Sequence, residues 1–256
     1  MKQLINSVLT SSALLLSASF PQAIAADDVP YTSQLIVIDG QASESVWQQA
    51  SWRSLEHHIV GEIPTAEDFS GQYKLLWDEN YLYLLAEIQD DVLFDAHANP
   101  LEKYWDDDCL EIFIDEDHSG GNHQFNFNAF AYHIALDNQA VDIGFEDAPN
   151  GPFLLLNRHI NSQWKRQSTP PYKVIWEVAI EVHNDRFVPN SKMRTRVPLN
   201  EGKTLGFMLA YCDNDGSETR EHFMGSHKIT PVNGDKNLGY ITADVFGDIK
   251  LIKSKK

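Results

Sequence analysis

Trp105-Asp106-Asp107-Asp108-Cys109-Leu110-Glu111-Ile112-Phe113-Ile114-Asp115 is the stretch that decides the fold of this chain. Its second half alternates. Leu110, Ile112 and Ile114 fall on one side, and Cys109, Glu111 and Phe113 on the other, the period-two pattern of a half-buried strand. Glu111 therefore belongs to the face turned away from the aliphatic row. The indole of Trp105 stands just before the strand begins.

Strand patterns continue in both directions. Residues 35–38 form a short apolar run that ends at Asp39-Gly40, a turn signal. Ser43 can cap a short helical piece over residues 44–50 that turns Val46 and Trp47 inward. Residues 73–77 and 81–88 read as a hairpin closed by Asp78-Glu79-Asn80. Trp77, like Trp47, lies among apolar neighbours and reads as core. Residues 124–136 read as one long strand, with Gln124, Asn126 and Asn128 on one face and Phe125, Phe127 and Ala129 on the other. Residues 163–167 and 172–182 pair around Thr169-Pro170-Pro171. Residues 205–212, 238–241 and 249–252 supply further strands. Many short strands, one short helix and Gly/Asn/Asp turns predict an all-β fold, a jelly-roll or immunoglobulin-like β-sandwich of two antiparallel sheets. No repeat or low-complexity linker interrupts the pattern, so residues 26–256 read as a single domain.

The first 25 residues read as a secretory signal peptide. Lys2 is followed by an apolar and small-residue run, then by the small-x-small site Ala23-Ile24-Ala25. The expected product is exported, periplasmic or extracellular, and no later stretch is long and apolar enough to span a bilayer. A formal net charge of −17 disfavours nucleic acid and anionic membrane surfaces as partners. It suits a neutral ligand, a cation or a metal. The chain has two cysteines, Cys109 and Cys212, both in strand-like segments. They are either bridged, stapling two strands, or two buried thiols; their spacing matches neither a zinc site nor a redox CxxC motif.

An aromatic platform beside a fixed carboxylate suits sugar recognition. The Trp105 ring can cover the apolar C–H face of a pyranose while Glu111 accepts hydroxyl hydrogen bonds. The amides of Gln124, Asn126 and Asn128 can both donate to and accept from hydroxyls. Asp106-Asp107-Asp108, Asp115-Glu116-Asp117 and Asp213-Asn214-Asp215 are oxygen-rich clusters of the kind hard cations need, none with EF-hand spacing. Nothing pairs Glu111 with a second catalytic acid, and no GxSxG, HExxH or phosphate-cradling loop is present. The chain therefore reads as non-catalytic. Two alternatives stand beside sugar binding: a haem or electron-transfer module using Met208, Met224, His222 and His227, and an interaction module without a sugar site.

Several segments together resemble the family 9 carbohydrate-binding modules, found attached to xylanases and in stand-alone secreted proteins. They are Asp39-Gly40 with Trp47, the hairpin from Leu75 to Leu84, Asp90-Asp91, Trp105 with Asp108 to Asp115, Gln124 to Asn128, and Leu205-Gly206-Phe207 through Asp215. The resemblance implies a jelly-roll-like sandwich, a structural calcium for which Asp115 and Asp117 are candidates, and a mono- or oligosaccharide held between two tryptophans. It also implies a glycoside hydrolase partner and a place in polysaccharide catabolism. By position, Trp105 takes the place of the first clamp tryptophan and Glu111 that of the sugar-binding carboxylate. Asn126 falls where members often carry an arginine, whose charged fork it cannot supply, and Asn128 falls on the family's asparagine. Residues 224–239 contain no tryptophan where the second clamp ring is expected. Val232 or a neighbour lies there, and Phe223, Trp164 or Tyr240 are candidates to replace it.

Overall fold

The computed structural model describes residues 27–253, and the expected leader over residues 1–25 lies outside them. Among the described residues the strands are β1 (Asp27–Pro30), β2 (Arg53–Ser54), β3 (His57–Gly61), β4 (Phe69–Trp77), β5 (Leu82–Asp90), β6 (Cys109–Asp115) and β7 (Phe130–Ala135). They continue as β8 (Ala140–Ile143), β9 (Phe153–Leu155), β10 (Ile160–Arg166), β11 (Val174–Ile180), β12 (Thr204–Asp213), β13 (His222–Gly225) and β14 (Gly247–Ile252). The larger sheet has the order β1-β14-β12-β6-β7-β8-β9, with β13 beside β12 and β3 beside β13. The smaller has the order β10-β11-β5-β4-β2. The fold is thus an all-β sandwich, and its strands pair antiparallel except β1 with β14, which run parallel.

The alternation read from the sequence places the core. Leu110, Ile112 and Ile114 of β6 meet Leu75, Trp77, Leu84, Trp176 and Val178 of the smaller sheet in the central layer. Trp77 and Trp176 are fully buried there. Removing the Trp176 side chain would cost about 3–5 kcal/mol, the range for a buried aromatic truncated to alanine. Both sheets are also covered on their outer faces. Ile36, Val46 and Trp47 lie over Leu76, Tyr83 and Leu85 of the smaller sheet. Ile59, Phe223 and Ile229 pack with Cys109, Phe113, Met208 and Cys212 on the larger one. The expected half-buried β6 is therefore buried along its whole length.

Local chemistry fixes the turns. The Asp78 carboxylate accepts from the backbone N–H groups of Asn80 and Tyr81, at 2.6 and 2.8 Å, and closes the β4–β5 hairpin. Glu177 accepts from the backbone N–H of Gly40 at 2.9 Å and so ties the Asp39-Gly40 turn to β11. Gly40 has φ 72°, and a Cβ there would stand 2.7 Å from the Trp164 backbone, so only glycine fits.

Several sequence expectations are corrected. Residues 35–38 form no strand: Leu35 and Val37 face solvent while Ile36 alone is buried. The long strand expected over 124–136 shrinks to β7, because Phe125 adopts φ 63°, which breaks an extended chain. Residues 238–241 turn instead of extending, with the Ile241 N–H donating to the Leu238 carbonyl at 2.9 Å. The short helix is a 3-10 turn, Ser45–Gln49, whose N-cap is Glu44, not Ser43, and no side chain caps it.

Candidate functional site

The larger sheet holds Glu111 at the middle of β6. Its cross-strand neighbours are His133 on β7 and Ala210 on β12. Because side chains alternate, Glu111 turns away from the central layer, as the sequence pattern predicts. The outer face is covered, so the carboxylate is 2 % exposed. A buried charge needs partners. His133 Nε2 lies 2.8 Å from Glu111 Oε1, and Arg220 Nη1 lies 3.3 Å from the same oxygen. The Cys212 thiol donates to it as well, at 3.0 Å. Burial opposes ionisation of Glu111, but His133, Arg220 and the thiol outweigh it and hold the carboxyl below its ordinary range. Arg220 also lies over the Phe223 ring at 4.3 Å, which fixes the guanidinium from below.

Trp105 belongs to the same cluster through aromatic contacts. It is half-buried. Its ring stands edge-on to Tyr104 and Phe153, with centroids 5.0 and 5.9 Å away. Tyr104 is buried and stands edge-on to His133 at 4.6 Å. The sequence therefore names two members of this arrangement, Trp105 and Glu111. It misses Tyr104, His133, Phe153 and Arg220, which come from four different segments. The adjacent His133 and Glu111 could have been found only by knowing the β6–β7 register.

The three amides lie elsewhere. Register pairs Ile114 with Phe130, so residues 124–128 follow the far end of β6. That end is roughly 13 Å along the strand from Glu111 at about 3.3 Å per residue. Asn126 accepts from the Asn128 N–H at 2.9 Å, and Asn128 Nδ2 donates to the Gly120 carbonyl at 2.7 Å. The Gln124 carbonyl accepts from Asn126 Nδ2 at 3.3 Å. Asn126 and Asn128 thus brace their own loop. Val232, near the expected second clamp position, is a 57 % exposed loop residue. Phe223 is buried, and Trp164 Nε1 donates to the Leu136 carbonyl from the smaller sheet. Tyr240 is half-buried in the loop before β14. Phe153, which the sequence did not suggest, meets Trp105 together with Tyr104.

Cys109 and Cys212 are directly opposite each other across β6 and β12. Both are free and fully buried. Of the two arrangements open in the sequence, the structure has the pair of buried thiols. The haem ligands do not converge. Met208 packs in the outer cluster and Met224 in the central layer, on opposite faces of the sheet. His222 uses one nitrogen on the Glu62 carbonyl and the other on Asp68. His227 Nδ1 meets the Ser226 hydroxyl.

Acidic groups converge at the start of β6. Carboxylate oxygens of Asp90, Asp108 and Asp213 lie within 4.8 Å of one another, and all three residues are buried. Burial pushes all three carboxyls up, Asp213 to about 8, and their mutual repulsion adds to it. One oxygen of Asp90 and one of Asp213 are buried without a hydrogen-bond partner. Three hard oxygen donors, two of them with an unpartnered oxygen, fit a calcium ion. Asp115 also has a buried orphan oxygen, but no third acidic, His or Cys ligand converges on it and Asp117 among the described residues.

The comparisons with known proteins agree with this architecture. Residues 38–254 match the model of a family described as carbohydrate family 9 binding domain-like. Endo-1,4-beta-xylanase A of Thermotoga maritima is 39 % identical over 80 residues, 31 % of this chain and 7 % of that protein. Endo-1,4-beta-xylanase C of Paenibacillus barcinonensis is 31 % identical over 102 residues, 40 % of this chain and 8 % of that protein. The chain thus spans less than a tenth of the xylanases it matches. Two solved structures of a family 9 module from Caldicellulosiruptor kristjanssonii share the fold with a TM-score of 0.62. The one in complex with cellotriose is 22 % identical and covers 91 % of this chain and 96 % of its own; the one in complex with glucose is 20 % identical and covers 90 % and 98 %. No helix among the described residues is long and apolar enough to cross a membrane. From the family match over most of its length, this chain belongs to the carbohydrate family 9 binding domain-like family, a family of non-catalytic sugar-binding modules.

Proposed function

We propose that this protein is an exported, non-catalytic module that binds a mono- or oligosaccharide at the Trp105 end of the larger sheet. The half-exposed Trp105 ring offers the stacking surface, and Phe153 holds it edge-on. Glu111 is linked to it through Tyr104 and His133. Its three described partners all fall on Oε1. Oε2 is left to accept a sugar hydroxyl. The observation that carries this reading is a carboxylate kept ionised by buried partners next to a partly open indole. The relatives give a class of ligand: the solved neighbours hold cellotriose and glucose. The xylanase relatives suggest a glycoside hydrolase as working partner and a role in polysaccharide breakdown. The leader pattern over residues 1–25 supports export.

Calcium belongs to the proposal. Asp90, Asp108 and Asp213 would hold it, in place of Asp115 and Asp117. Bound there, the ion supplies the charge that three crowded carboxylates lack and anchors the segment that carries Trp105. Asp108 already fixes that segment by accepting from the Phe94 and Asn214 N–H groups, at 2.6 and 2.8 Å.

Titration of intrinsic tryptophan fluorescence with cellotriose tests the reading. Quenching that saturates in the native protein and disappears in Trp105→Ala, with the circular dichroism spectrum unchanged, is the expected result. A titration that is the same in both proteins sinks the assignment.

A further inference from the structure

A second cleft lies beside the β9 edge of the larger sheet. The β4–β5 turn, the segment between β9 and β10, and the loop after β11 enclose about 1000 Å³. His159 in this cleft stands against Phe130 at 5.6 Å, and Phe130 pairs with Ile114 at the end of β6 remote from Trp105. The volume is at the upper end of the roughly 300–1,000 Å³ typical of ligand pockets. It suits an oligomer better than a single ring.

Beneath the cleft lies an aromatic cluster in which His159 is buried, while His183 and Phe187 are partly open. His159 and His183 stack with centroids 3.8 Å apart and planes 13° from parallel. Phe187 stands edge-on to His159 at 4.7 Å. Burial lowers His159 to about 3 and His183 to about 4, so both rings are neutral at physiological pH. The Tyr132 hydroxyl meets His159 Nδ1 and the Thr195 hydroxyl meets His183 Nδ1, each at 2.9 Å. His183 Nε2 is buried and has no hydrogen-bond partner.

The charge around this cleft does not balance. Glu181 is matched by Arg196 at 3.0 Å, and Glu79 by Lys253 at 3.1 Å. Arg158 and Arg194 also line the cleft, are exposed, and make no ion pair or side-chain hydrogen bond among the described residues. Two unmatched guanidinium groups thus line the cleft on a chain of net charge −17. A guanidinium fork pairs with a carboxylate or a phosphate, and in a family of sugar-binding modules a carboxylate carried on the sugar ring is the fitting partner.

We propose that this cleft is a second ligand site for a carboxylate-bearing oligosaccharide, such as a chain of uronic acids. The sugar rings lie in the cleft against the partly open Phe187 and the edge of His183, with His159 supporting both from below, and Arg158 and Arg194 take the carboxylates. This site works independently of Trp105 and does not depend on the neutral-sugar reading above.

Isothermal titration of the full mature protein with trigalacturonate, cellotriose and ferulate tests it. The ferulate arm separates a uronate from a free aromatic acid as the source of the carboxylate. Trigalacturonate should bind, more weakly as salt rises. Arg158→Ala and Arg194→Ala should each weaken it on the order of tenfold, as expected for loss of a charged hydrogen bond. Arg→Lys variants should lose less, and Trp105→Ala should bind trigalacturonate normally. Arg158 and Arg194 are exposed and Trp105 is half-buried, and melting temperatures check that the variants fold. No heat with trigalacturonate, equal loss with cellotriose, tighter binding of ferulate, or a loss confined to Trp105→Ala would each overturn the proposal.

Discussion

His133 Nε2 lies 2.8 Å from Glu111 Oε1, across two neighbouring strands, with side chains only 7 and 3 % exposed. The pair faces the outer side of its sheet, where a covering layer removes the solvent that would otherwise screen it. Two groups of opposite tendency then depend on each other and on Arg220.

Glu111→Ala should cost about 3–5 kcal/mol of stability, the usual result of breaking a buried charged set and leaving its partners uncompensated. Urea denaturation measures it. Glu111→Gln should cost less because it keeps the volume and one acceptor. A loss under about 1 kcal/mol for the alanine variant would mean that the set is open to water.

Acid should weaken the same contact. The Glu111 carboxyl is held below its ordinary range in the folded protein. Its contribution is therefore complete above the unfolded value of about 4.3 and is lost as pH falls through the folded value. The difference in urea midpoint between the native protein and Glu111→Gln should shrink on acidification. A gap that does not change between neutral pH and pH 3 contradicts the assignment.

The acidic triad has the opposite sign. Burial raises Asp213 to about 8 and raises Asp90 and Asp108 as well. Without a cation, the folded state holds more protons than the unfolded chain between about pH 4 and 8, so stability falls as pH rises through that window. Calcium should reverse this by replacing protons. Thermal melts at pH 8 should gain several degrees with millimolar calcium and lose them with a chelator, whereas at pH 5 the gain should be smaller. Equal melts with and without calcium at pH 8 would remove the ion from this site.

Phe153→Ala should weaken binding of cellotriose several-fold while lowering the melting temperature little. Phe153 is only half-buried on a short edge strand, so its loss frees the Trp105 ring without opening the core. Fluorescence titration and a thermal melt separate the two effects.

Cys109 and Cys212 are both fully buried, and burial raises their thiol pKa values. A thiol reagent should label neither in the native protein and both after denaturation, as only the exposed thiolate reacts. Rapid labelling of the native protein would place at least one of them at the surface.

Period-two alternation over residues 109–115 predicted β6, the direction of Leu110, Ile112 and Ile114, and the side on which Glu111 stands. The hairpin at Asp78 was equally legible, because it is closed within a few residues by local hydrogen-bonding chemistry; the Asp39-Gly40 turn was legible from its residue types, although the distant Glu177 ties it down. The strand read over 124–136 was too long. Alternating polarity there disguised a loop whose left-handed Phe125 sequence cannot announce. The strand read at 35–38 failed for a related reason: an apolar run that covers a sheet from outside resembles a strand of the sheet itself.

What the sequence determined by itself was the all-β class, the two tryptophans that are core, and the turn of Glu111 away from the central layer. Tertiary structure alone decided that Glu111 is buried, that His133 and Arg220 hold its charge, that Asp90, Asp108 and Asp213 meet, and that the amides of residues 124–128 lie far from Trp105. The reason is physical. Side-chain direction along one strand follows from backbone geometry that repeats every two residues, whereas which strands become neighbours, in which register, and what covers them depends on contacts between segments tens to hundreds of residues apart.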